Sequence, residues 1–194
     1  MIMSFTSFLI NKKTYFCKMK FLQYLIFFII FSNLNSFSNN RIEKKVIKEI
    51  HSSFNIQKYN KTEILLKSND LLNVKSMFNR GNFFKIFNKE NHIGYYYKSI
   101  AKSKTDYFDY LILFDLDLNI LNSKVLAYRE DYGGEIASKR WLRQFVGKTI
   151  NDRLKYRENV MAISGATISV KSMTIAIDNL MTSLKFVKSK KYLD

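Results

Sequence analysis

The sequence predicts an α+β fold: a mainly antiparallel, twisted sheet with flanking helices and a C-terminal helix entered from an SGAT turn. Three observations carry this. Between residues 82 and 130 four aromatic and β-branched runs follow one another, with no helix long enough to cross between parallel strands. Before them, apolar residues recur every fourth position, and after them every third or fourth, the two signatures of one-sided helices. The 194 residues, 47% of them hydrophobic, suit one such domain preceded by a leader.

The leader is expected over residues 1–38. Lys18 and Lys20 precede "FLQYLIFFIIF" (Phe21 to Phe31), and a small, polar stretch ends in Ser36, Phe37 and Ser38. That order is a secretory signal peptide with cleavage after Ser38. Its apolar run is about eleven residues, whereas a bilayer core takes roughly 20. Two other readings stay open: an uncleaved anchor, since Gln23 and the long preceding tail depart from the pattern, and a true start at Met19. The single cysteine, Cys17, precedes the apolar run, so an exported product has no disulfide and no cysteine for acyl attachment. Its stability must come from an ordinary core, which residues 39–194 can supply.

Residues 39–89 are expected as an N-terminal helix and an accessory segment. "RIEKKVIKEIHSSF" (41–54) spaces Ile42, Val46, Ile50 and Phe54 four apart, an amphipathic helix. "KTEILLKSNDLLNVKSMF" is ambiguous, because Ser, Asn and Asp break its short apolar runs. "NFFKIFN" and "HIGYYYKSIA" then read as a hairpin, and "DYFDYLILF" and "ILNSKVLAYRE" as a second one. The second turn, Asp115 to Asn119, opens like a calcium loop. Ile120 and Leu126, however, stand where such a loop needs glycine and a bidentate carboxylate. A hairpin turn is the expectation, since Asp and Asn bond their own backbone locally.

Gly133 and Gly134 break the last strand and permit positive φ or a close backbone approach. A short helix beginning at Ile136, with Lys139, Arg140, Trp141 and Arg143, should end near Gly147. Val170, Met173, Ile177, Leu180, Met181 and Leu184 then advance by three and four, a helix with one buried face. Its basic tail, 186–194, suits the negative end of the helix dipole and is expected to fray.

The formal charge is +16, but Lys and Asn abound throughout and Pro is absent, so the charge reads as compositional and no nucleic-acid role is expected. His51 and His92 are the only histidines, and no metal site or Ser-His-acid constellation is expected. "YGGE" lacks the third spaced glycine of a dinucleotide fingerprint. What remains is "SGATIS", residues 164–169. A helix start offers up to four N–H groups without intrahelical partners and the positive end of the dipole, where a phosphate is stabilised. Gly165 and Ala166 leave the backbone uncovered, and Thr167 places a hydroxyl at the helix start. Spacing alone favours the simpler reading, that Thr167 or Ser169 caps the helix, for about 1 kcal/mol.

SGAT resembles the flavinylation motif of the FMN-binding domain family, found in covalent-flavin subunits of the sodium-pumping NADH:quinone oxidoreductase and the Rnf complex. The resemblance extends over residues 90–185: an Asp-rich hairpin turn in "FDLDLNILNSKVLAYREDYGGEI", then "WLRQFVGK", then "SGAT". It implies FMN joined through its phosphate to Thr167, installed outside the cytoplasm by a flavin transferase that uses FAD and a divalent metal. Ser164, Gly165, Ala166 and Ser169 would surround the phosphate, with Lys139, Arg140 and Arg143 as candidates for balancing its charge. Tyr132, Gly133 and Gly134 would approach the flavin, Tyr132 as a stacking partner. Two departures stand out: Met161 occupies the place of the family's usual aspartate, and Asp131 to Gly134 replaces its Thr-Pro-Gly turn.

The function this implies is an exported, periplasmic or membrane-associated electron carrier that exchanges electrons with membrane or extracytoplasmic redox proteins. It need not be an enzyme by itself, an electron-transfer protein or subunit being the expectation, and no catalytic residue is expected. Two alternatives remain: a secreted binding module of the same fold without flavin, motivated by Met161, and a basic protein binding nucleic acid or a membrane surface, motivated by charge.

Overall fold

The four predicted strands pair in the order in which they occur, and a fifth joins them at one edge. The structure, a computed structural model, describes residues 40–193. Residues 45–194 form one unit; of the other, 1–44, only 40–44 are described, and they are helical. The expected leader therefore lies outside the described residues. None of the described helices is long and apolar enough to cross a membrane.

Helix α1 occupies residues 40–54. The strands are β1 (Asn60–Glu63), β2 (Phe83–Asn88), β3 (Asn91–Lys102), β4 (Tyr107–Phe114) and β5 (Ile120–Ala127), with the short helix α2 (Ser68–Leu71) after β1. All neighbours are antiparallel, in the spatial order β1-β2-β3-β4-β5. The segment before residue 90 thus supplies two strands of the same sheet. β1 was hidden in the ambiguous stretch because it is a four-residue edge strand, "NKTE", almost wholly exposed and without the alternation that a buried face imposes.

Side chains alternate across a strand, so each strand of this sheet serves two faces. On one face Phe83, Tyr97, Tyr110 and Ile112 join Val170, Met173, Ile177 and Leu184 in the main core. The latter four belong to α4 (Thr167–Ser189), whose three-and-four spacing becomes a single buried stripe. On the other face Phe84 stacks on Tyr96, ring centroids 4.8 Å apart, and Asn122 follows in register through Leu113. Asn122 donates to Glu49 Oε2 (3.1 Å) and Ser53 Oγ (3.0 Å) of α1, whose Val46 and Ile50 are fully buried. Helices therefore cover both faces.

Between β4 and β5, Asp115 accepts hydrogen bonds from the N–H groups of Asp117 (2.9 Å) and Asn119 (2.8 Å) and from Asn119 Nδ2 (2.8 Å). Both its oxygens are spent on the turn, the local bonding expected of Asp in a hairpin. The expectation of a fraying tail is corrected. Tyr192 donates to Asp70 Oδ2 (2.6 Å) and accepts from the N–H of Lys67 (3.0 Å), tying the chain end to α2. A tethered polar pair outweighs the basic composition that suggested fraying.

Candidate functional site

The turn into α4 sets the site. The Ala166 N–H donates to the Ile163 carbonyl (3.3 Å), closing a four-residue turn whose third position is Gly165 at φ +80°. That position requires a left-handed residue, and glycine takes it without steric cost. Ala166 is the cap residue, and no side chain caps the helix, so neither Thr167 nor Ser169 has the capping role that spacing alone allowed. Thr167 is the first helical residue, exposed, and its hydroxyl has no hydrogen-bond partner among the described residues. The N–H groups of Thr167, Ile168 and Ser169 lie too early in the helix to reach an intrahelical carbonyl.

Ser169 is instead buried, 3.0 Å from the Tyr128 hydroxyl. Tyr128 donates its single proton to the Tyr132 carbonyl (3.0 Å), so Ser169 is the donor to Tyr128. One phenol thereby pins the glycine turn to the start of α4. Gly133, at φ +85°, lies between them: a Cβ there would stand 2.8 Å from the Tyr128 hydroxyl and 3.4 Å from Ala166. Gly133→Ala is expected to destabilise by about 2 kcal/mol through left-handed strain and displacement of Tyr128. The check is a lower urea midpoint at an unchanged m-value.

The segment leading into the turn is held from below. The turn after Tyr132 continues through a 3₁₀ stretch (Gly134–Ala137) into α3 (Lys139–Leu142) and a second 3₁₀ stretch (Arg143–Phe145). Trp141 Nε1 donates to the Met161 carbonyl (2.8 Å), and the Met161 N–H donates to Gln144 Oε1 (2.8 Å). "WLRQF" is therefore a clamp on the backbone of residue 161. The Met161 side chain is 63% exposed and takes no part in that grip.

These elements enclose an open cleft of about 570 Å³, lined by Lys104 and Thr105, residues 128–132 and residues 165–169. Of the expected site residues, Tyr132, Gly165, Ala166, Thr167 and Ser169 line it; Tyr132 is 85% exposed. Ser164 sits in the turn, Gly133 packs against Tyr128 and Ala166, and Gly134 opens the 3₁₀ stretch; none of the three is on the lining. Lys139, Arg140 and Arg143 are exposed and do not line the cleft, which corrects their assignment to the phosphate. They are the solvated face of α3, whose buried Trp141 bonds the Met161 carbonyl.

The cations that do line the cleft are Lys104 and Arg129. Arg129 is committed to the Asp109 carboxylate and the Tyr107 carbonyl (2.8 Å). Lys104 rides on the β3–β4 turn. There Glu130 Oε1 accepts from Ser103 Oγ (2.7 Å), the Thr105 N–H (2.6 Å), Thr105 Oγ1 (3.1 Å) and the Asp106 N–H (3.1 Å). Led by the Ser103 hydroxyl and the Thr105 N–H, these bonds pull the Glu130 carboxyl down from 4.5 to about 2. A depressed carboxyl stabilises the fold fully above its unfolded value and loses that contribution as the pH falls through its folded one. The Thr105 and Asp106 amide resonances are therefore expected to titrate together with a midpoint near 2, well below 4.5. The titration should vanish in Glu130→Gln. Tyr128 and Lys104 escaped the sequence reading because a tyrosine at a strand end and a lysine in a hairpin turn carry no spacing signal of their own.

Among the described residues no group of three or more His, Cys, Asp or Glu is placed to hold a metal ion. Residues 107–182 match the model of the FMN-binding domain, a segment running from β4 through the clamp and SGAT turn into α4. The resemblance drawn from the motif is borne out over that segment. No curated protein matches the sequence. The crystal structure of Shewanella oneidensis NqrC is similar at 20% identity and a TM-score of 0.41, over 55% of this chain and 60% of that one. This chain thus spans less than two thirds of that protein's length.

Proposed function

With residues 107–182 matching an FMN-binding domain, we propose that the protein is an extracytoplasmic electron carrier holding FMN as a phosphodiester on Thr167. The observation that carries this reading is the Thr167 hydroxyl: exposed, without a partner, and at the uncapped start of α4 on the lining of the cleft. The residues present fit such a group. Gly165 leaves the backbone open whereas Ala166 is buried with its N–H spent on the Ile163 carbonyl, the first N–H groups of α4 favour an anion, and Tyr132 offers an exposed aromatic face on the same lining. Bound flavin supplies the redox chemistry, and the chain's part is to orient it and set its surroundings.

Export rests on the leader pattern of residues 1–38, and maturation calls for a flavin transferase supplying FMN from FAD. Membrane or extracytoplasmic redox proteins are the expected donors and acceptors. Met161 bears on recognition by the transferase, because its side chain takes no part in the clamp that shapes the turn. The experiment is co-production with a flavin transferase, followed by intact mass and a denaturing gel viewed under ultraviolet light. A gain of one FMN less one water, with fluorescence that stays on the denatured band, is the expected result. An unchanged mass would turn the reading to a binding module of the same fold without flavin.

A further inference from the structure

We propose that Lys104 is the residue that pairs with the phosphodiester on Thr167, and that Glu130 is the positioning residue that presents it. This rests on the reading of Thr167 above. A phosphodiester keeps one negative charge, and the N–H groups at the start of α4 carry only the partial charge of the helix dipole. A second positive group in the cleft lining therefore has a place to act. Arg129 is taken by Asp109 and the Tyr107 carbonyl, whereas Lys104 has no acidic partner among the described residues. The lysine is far from SGAT in sequence, but the β3–β4 turn brings it to the lining that Thr167 shares.

The turn is built to hold that lysine. Residues 103, 105 and 106 each give a hydrogen bond to the same oxygen of Glu130, so the backbone on both sides of Lys104 is fixed while its own side chain is left to the cleft. Glu130 lies two residues before Tyr132 and two after Tyr128, so the strand end that pins α4 also pins the turn carrying the cation. Loss of Glu130 should loosen Lys104 without touching Thr167.

The test is the acylation rate of individual lysines in the full exported protein, read by peptide mass, with an amine-reactive ester as the probe. Flavinylated protein is compared with the same chain produced without transferase. Lys104 is expected to react about five- to tenfold more slowly once Thr167 is modified, as for a charge-assisted pair in a partly open cleft. Lys139, exposed and outside the lining, should not change. The Lys104 protection should shrink in high salt, since an exposed ion pair is screened, and should shrink in flavinylated Glu130→Gln. Flavinylation with unchanged Lys104 reactivity overturns the pairing and leaves the proposed function standing. Protection undiminished by salt also overturns it, because mere coverage by the flavin does not depend on ionic strength. Absence of any mass gain removes the proposed function and the pairing with it.

Discussion

Thr167→Val is expected to leave the protein with no covalent FMN and an otherwise intact fold. Valine keeps the shape of threonine and deletes only the hydroxyl that would bond to phosphorus. That hydroxyl neither caps α4 nor bonds any described residue, so stability should change by less than about 0.5 kcal/mol. Two measurements separate the effects: intact mass after co-production with transferase, and the urea midpoint of the unmodified chain. Thr167→Ser keeps the attacking oxygen and should retain FMN. Full occupancy in the valine variant would place the attachment elsewhere. Ser164, exposed in the same turn, is then the first residue to replace.

Asp178→Ala is expected to produce the larger loss of stability, about 3 kcal/mol. Asp178 is a nearly buried carboxylate on α4, about three turns after Thr167. One oxygen accepts the buried Leu154 N–H and the other accepts from the Arg153 guanidinium, each at 2.8 Å. Together they hold the segment between the clamp and SGAT against the helix. Alanine leaves a buried N–H with no acceptor, and losing a charged partner from a buried donor costs about 1.5–3 kcal/mol, with a smaller share from Arg153, which is half exposed. Asp178→Asn keeps an acceptor for Leu154 and should lose less than half as much. Denaturant unfolding reads both variants. Because Asp178 lies well away from the cleft lining, the folded fraction should still accept FMN, which separates support of the fold from the chemistry of Thr167.

The parts of the fold that were legible were those with a period. β2 through β5 were read within a few residues of their observed limits, because aromatic and β-branched runs bounded by polar turns have few other solutions. The buried stripe from Val170 to Leu184 was equally plain. β1 was not, since an edge strand with both faces open carries no alternation, and α2 is too short to repeat. The tail went wrong for a related reason: its composition is that of a solvated end, while the bond from Tyr192 to Asp70 joins positions more than a hundred residues apart.

The site divides along the same line. SGAT, its glycine, the exposed threonine and the nearby Tyr132 were visible in the sequence because turn chemistry is local: a left-handed position wants glycine, and a helix start leaves N–H groups open. Turn chemistry by itself marked a helix start where an anion could be placed, and the covalent attachment at Thr167 came only from the resemblance of SGAT to the flavinylation motif. The tertiary structure alone decided what surrounds that point. It left Lys139, Arg140 and Arg143 outside the cleft and put Lys104 on its lining, made Trp141 and Gln144 a clamp on Met161, and used Tyr128 to join the turn at Tyr132 to the start of α4. The physical reason is that charge balance and hydrogen-bond satisfaction depend on distance in space, and a five-stranded sheet brings its hairpin turns beside residues sixty positions away.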